Sequence, residues 1–159
     1  MPTIYLTIEI NAPIERCFDL SRSIDLHTLS TSHTNEKAIA GVTSGLIGLN
    51  EEVTWRARHF GIYQELTSRI TGFQAPVFFE DTMVKGAFKK IEHKHFFEVQ
   101  GSKTIMKDEF RFEAPLGILG KLSHIVLVPY LKNFLIKRNK MIKDVAESNQ
   151  WKQLLTKSS

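Results

Sequence analysis

LGILGKLSHIVLVPYLKNFLIKRNKMIKDVAE, residues 116–147, is the stretch on which the fold turns. Leu119, Leu122, Val126, Leu131, Phe134, Met141, Ile142 and Val145 recur at three- or four-residue steps with lysines between them, which is the period of an amphipathic helix. A helix this long needs a broad apolar surface to lie on. Lys121, His124, Lys132 and Asn133 interrupt the apolar run, so no stable membrane insertion is expected. Pro129 removes an internal hydrogen bond and should kink the helix near Ile125. On this reading residues 116–128 form a lid. The part beyond Pro129 packs conventionally and keeps a solvated basic back that includes Lys132, Lys137, Arg138, Lys140 and Lys143.

Upstream of Pro115 the period changes to that of strands. Residues 3–11 alternate Ile4, Leu6, Ile8 and Ile10 with Tyr5, Thr7 and Glu9, a half-buried first strand. Asn11 is placed to cap a helix with Pro13 in its first turn, running through Ile14, Cys17, Phe18 and Leu20. Ser23 or Asp25 opens a second short helix. Strands are then expected over residues 35–40, 51–60, 63–71, 77–84, 89–99 and 103–113. Short connections between consecutive strands favour antiparallel pairing, because parallel pairing needs long crossovers. The expected architecture is α+β: a curved antiparallel sheet of about seven strands around a long C-terminal helix, with two short helices after strand 1. Residues 1–159 are read as a single domain.

The single cysteine, Cys17, forms no internal disulfide, and the N-terminus lacks a basic segment followed by an apolar core. A cytoplasmic setting is therefore expected, with Cys17 a small core residue. The net charge of +4 gathers late in the chain, but no nucleic-acid reader motif accompanies it, so nucleic acid is not an expected partner.

The strand faces carry the functional signal. In residues 89–99 the inward set is Ile91, His93, His95, Phe97 and Val99; in residues 103–113 it is Thr104, Met106, Asp108, Phe110 and Phe112. Gly101-Ser102 suits a two-residue type II′ hairpin turn, which pairs Gln100 with Lys103 and places His95 opposite Asp108 and His93 opposite Phe110. Cross-strand neighbours are about 4.5 to 5.5 Å apart at Cβ, within reach of an imidazole–carboxylate hydrogen bond. Asp81 faces inward from the preceding strand, in a register its longer connection leaves open, and His59 from farther across the sheet.

Buried ionisable groups need partners among themselves, water or a ligand. Three readings compete: satisfied pairs, His95 with Asp108 and Asp81 with His93, that fix register; the polar end of an apolar binding pocket; or a catalytic or metal-binding set. His-x-His alone is a weak metal motif, so no metal and no cofactor is expected. His27, His33 and His124 read as surface or cap residues.

NAPIERCFDLSRSIDLH after the first strand, GLIGLNEEVTWRARHFG, FFEDTMVKGAFKKIEHKHFFE, TIMKDEFRFEAPLGILGKL and LIKRNK resemble the START-like (SRPBCC, Bet v 1-like) superfamily. They are most similar to its small bacterial stand-alone ligand-binding subgroup, sometimes labelled cell-division-inhibitor-like. The resemblance implies a helix-grip fold with a hydrophobic cavity holding an apolar small molecule such as a lipid or polyketide. Trp55, His59, Asp81, His93, His95 and Asp108 stand at the subgroup's motif positions, and the resemblance assigns them no role. The binding reading has Trp55, Phe79, Phe97, Met106 and Phe110 as walls, Leu119, Leu122 and Val126 as the lid, and His95 with Asp108 reading the polar group. It requires a void of about 300 Å³ or more. The alternatives are a hydrolase or cyclase-type enzyme with His95 as general base oriented by Asp108, and an interaction or membrane-surface module using the basic helix.

Overall fold

A computed structural model of the protein describes residues 1–115 and 123–156. Its order is β1 (Thr3–Ile10), α1 (Ile14–Ser21), α2 (Ile24–Ser30), a 3-10 turn (Ser32–Thr34), then β2 (Lys37–Gly41), β3 (Glu52–His59), β4 (Ile62–Gln74), β5 (Phe78–Lys85), β6 (Lys90–Gln100) and β7 (Lys103–Glu113). A π-helical turn (Ser123–Leu127) leads into α3 (Val128–Ala146), and α4 (Gln150–Thr156) follows. The strands form one antiparallel sheet in the order β1-β7-β6-β5-β4-β3-β2. β2 to β7 thus make a meander, which β1 extends along the far edge of β7. Among the described residues no helix is long and apolar enough to cross a membrane.

Local chemistry explains the connections. Gly101 takes φ +62° while Ser102 stays out of the left-handed region, as a type II′ turn requires, and the register runs from Gln100↔Lys103 through His95↔Asp108 to Lys90↔Glu113. The Ser23 side chain accepts a hydrogen bond from the Leu26 amide and caps α2. Asn11, in contrast, caps nothing: Pro13 is the N-cap of α1, and the Asn11 amide donates to Glu147 beyond the end of α3.

The core divides in two. One cluster gathers Phe18 of α1, Phe79, Phe97 and Met106 of the sheet, and Ile142 and Val145 of α3. Phe18 meets Phe73, Phe79 and Phe97 edge-on at centroid distances of 5.4 to 5.5 Å. Cys17 belongs to this cluster and is fully buried. The other joins Ile4, Ile91, Phe110 and Phe112 to Leu135 of α3.

The expected lid, residues 116–128, falls largely outside the described residues, and its described end does not cover the sheet. Leu119 and Leu122 lie outside the described residues, while Ile125 and Val126 are exposed. Pro129 falls in the first turn of α3, just past the π turn, where the hydrogen-bond ladder is already widened and its missing N–H costs little. Among the described residues, the helix positions that face the sheet come after it. Arg138, expected on the solvated back, is 5% exposed, because it shares a stripe with Leu131, Leu135 and Ile142. Val99, expected inward, is exposed at the end of β6.

Candidate functional site

A hollow of about 190 Å³, partly open, lies between the two core clusters, with the sheet on one side and α2 and α3 on the other. Of the residues singled out in the sequence, Trp55, His59, Phe79, Asp81, His93, His95 and Phe110 line it. Phe97 and Met106 do not: they pack beneath Phe18 in the solid half of the core. Val126 points away on the exposed π turn. Asp108 sits behind the two histidines, 2% exposed. The hollow falls short of the roughly 300 Å³ that the binding reading required, so that reading is not met in the form expected for a lipid or polyketide.

The backbone register is the expected one, with Asp81↔His93 and His95↔Asp108, but the side chains bond diagonally across it. His93 Nε2 donates to Asp108 Oδ1 at 2.8 Å, and His95 Nε2 to Asp81 Oδ2 at 2.9 Å. The two imidazole rings lie close but tilted by 37°, centroids 3.8 Å apart, and Phe79 stacks on His95 at 4.0 Å. His95 Nδ1 lies 3.1 Å from Asp108 Oδ1, too oblique for a hydrogen bond, and is left buried without a partner. His93 Nδ1 stands 4.0 Å from Asp81 Oδ2. An imidazole oriented by a carboxylate and carrying an uncommitted second nitrogen is therefore His93. His95, expected to be the base, has a carboxylate against each of its nitrogens.

Two residues of α3 complete the network. Asn139 Nδ2 donates to Asp108 Oδ2 at 2.6 Å, and Arg138 donates to Asn139 Oδ1 at 3.0 Å and to the Ser21 carbonyl at 3.1 Å. The Arg138 guanidinium stands 3.7 Å from Asp108. Sequence reasoning misses Arg138 and Asn139 as site residues, although the spacing 135, 138, 139, 142 puts both on the buried stripe.

The electrostatics follow from these contacts. Burial alone would raise the Asp108 carboxyl, but the hydrogen bond from His93 and the close approach of the His95 ring hold it well below its ordinary value. Burial likewise opposes ionisation of Asp81, yet its carboxyl is lowered, chiefly by the hydrogen bond from His95. Burial and the neighbouring His95 push His93 down to about 4 despite Asp108, so its ring is neutral at pH 7.

A second polar group sits on the β3 side of the hollow. His27 stacks at 4.2 Å on Trp55, and its Nε2 lies 3.1 Å from Glu36 Oε1. The surface position expected for His27 is not the one it takes: it lines the hollow, because α2 lies across the sheet with this turn facing inward. Glu36 Oε2 is buried without a partner. His59 Nδ1 meets the Tyr130 hydroxyl at 2.5 Å, and burial lowers its pKa. His33 and His124 are exposed, as expected.

No family model and no curated protein matches the chain. Solved structures do. A Thermus thermophilus protein, TTHA0849, superposes with a TM-score of 0.74 at 16% identity, covering 99% of this chain and 100% of its own. The Zhui aromatase/cyclase from Streptomyces sp. R1128 gives 0.69 at 10% identity over 92% and 93%, and a START superfamily protein from Mycobacterium smegmatis 0.65 at 12% over 91% and 97%. The chain therefore has the START-like, or SRPBCC and Bet v 1-like, helix-grip fold. At these identities the likeness establishes the fold alone.

Proposed function

We propose that the protein binds a compact, largely apolar molecule carrying one hydrogen-bonding group, in the hollow between the sheet and α3. The observation that carries this reading is an apolar-walled space of about 190 Å³ bordered by buried polar groups, among them a Glu36 oxygen with no partner. Burying such an atom costs about 1 to 3 kcal/mol, which a ligand donor would offset. Trp55, Ile70, Phe79, Phe110 and Leu131 supply the apolar contact; Glu36, Asp81, His93 and Arg138 are within the lining and orient the polar end. The cytoplasmic setting expected from the lone cysteine belongs to the same reading, with the buried Cys17 thiol kept reduced.

The test uses camphor and cyclohexanol as compact probes and palmitate as a long one. Amide and Trp55 indole NMR shifts should saturate with the compact probes and stay still with palmitate, and Leu131→Trp should abolish the response by filling the space. Absence of any shift at Trp55, or an unchanged response in the filled variant, rules the reading out. Native mass spectrometry of freshly purified protein would show a co-purifying molecule.

A further inference from the structure

Asp81, His93 and His95 each offer one ligand atom, and these atoms all lie within 4.8 Å of one another. We infer that these three residues form a binding site for a first-row divalent transition metal, with its open coordination positions facing the hollow. In tetrahedral or octahedral sites with bonds near 2.1 Å, neighbouring donor atoms lie about 3 to 3.5 Å apart. The separations of 2.9 Å from His95 Nε2 and 4.0 Å from His93 Nδ1 to Asp81 Oδ2 bracket that range. Small side-chain rotations bring the atoms to it.

The independent observation is the orphaned His95 Nδ1. In metal-free protein with neutral rings, His95 Nε2–H points at Asp81, so the bare Nδ1 lone pair faces the Asp108 carboxylate 3.1 Å away, a repulsive arrangement. Placing a metal on Nε2 moves the ring proton to Nδ1, beside Asp108 Oδ1, which a small rotation of the ring would let accept it. His93 already has the complementary arrangement: Nε2–H donates to Asp108 and Nδ1 is uncommitted. Asp108 thus becomes the shared outer carboxylate that fixes the tautomer of both ligating histidines, the usual support of a metal-bound imidazole. Asn139 holds its other oxygen. Asp81, its side chain 26% exposed, gives access from the hollow. Two imidazoles and one carboxylate suit Zn2+, Co2+ or Fe2+ better than the oxygen-seeking Mg2+ or Ca2+.

The competing account is a proton: a doubly protonated His95 donating to both carboxylates. Chelator-treated protein is titrated with Co2+ and Zn2+. One Co2+ per chain, visible d–d absorption and a Kd of about 10 µM or tighter are expected, with a loss of about 100-fold in Asp81→Asn and in His95→Gln and no change in His33→Ala, a surface histidine. Because His95→Gln removes a core side chain, Zn2+ is also added to wild-type protein while the imidazole nitrogens are followed by NMR. His93 Nδ1 and His95 Nε2 should shift as metal-bound nitrogens, with protons retained on His93 Nε2 and His95 Nδ1. Failure of the wild type to saturate at one ion, unchanged binding in Asp81→Asn, or shifts confined to other histidines overturns the inference. Camphor binding measured in chelator-treated protein stands or falls separately.

Discussion

β6 and β7 present one continuous inner face that behaves as two materials. Near the hairpin, Phe97 and Met106 stand opposite each other and vanish beneath Phe18, Ile142 and Val145, a solid apolar contact. One pair further along, His95 stands opposite Asp108, then His93 opposite Phe110, and the covering layer recedes to leave the hollow. The same strands, the same pleat and the same helix above give opposite outcomes. The difference lies in what α1 and α3 place over each pair: a phenylalanine and β-branched residues over the first, Arg138 and Asn139 over the second. Apolar packing is concentrated at one end of the sheet and ionisable groups at the other.

The largest way to break this contrast is Phe18→Ala, which empties the solid end. It should cost about 3 to 5 kcal/mol in urea unfolding, since a fully buried ring with three aromatic neighbours leaves a cavity the close-packed surroundings cannot fill. Asp108→Asn tests the polar end. Its amide group meets the donor Asn139 Nδ2 or the donor His93 Nε2 with another donor, and a loss of about 2 kcal/mol is expected. A loss as large as that of Phe18→Ala would mean the polar network, not the apolar cluster, anchors the sheet.

Leu131→Ala sharpens the comparison from the other direction. Leu131 borders existing space, so its truncation removes fewer contacts and should cost less than about 1.5 kcal/mol, while enlarging the hollow. The smallest effect concerns pH. Burial sets the folded pKa of His59 below its ordinary 6.5, so its neutral form contributes stability that is complete above that value and lost as pH falls through it. The wild type should lose more thermal stability than His59→Gln between neutral pH and pH 5, and equal losses would show that His59 is not the group responsible.

How much of this is legible in the sequence depends on the kind of interaction. Strand faces and the β6–β7 register are, because a two-residue turn and a strict period of two leave no freedom. The diagonal pairing of His93 with Asp108 is not, since imidazole and carboxylate reach across more than one pair and the choice is made by Asn139 and Asp81 from other elements. Charge is a poor guide to exposure at Arg138. A guanidinium with a long aliphatic stem and three partners, two of them hydrogen-bonded, can occupy a core position. Pro129 likewise has a different effect at the start of a helix than inside one. His27 can be placed only once α2 is seen to lie over Trp55.

The pairing of β1 with β7 carries a kinetic consequence. Its partners, Thr3 with Arg111 through Ile10 with Thr104, lie roughly a hundred residues apart, whereas every other ladder among the described residues joins strands consecutive in the chain. Loop-closure entropy opposes that union until the meander has assembled, so β1, which precedes the other described strands in the chain, is the last to be seated. A truncation in β1, such as Ile10→Val, should accelerate unfolding and leave the refolding rate unchanged.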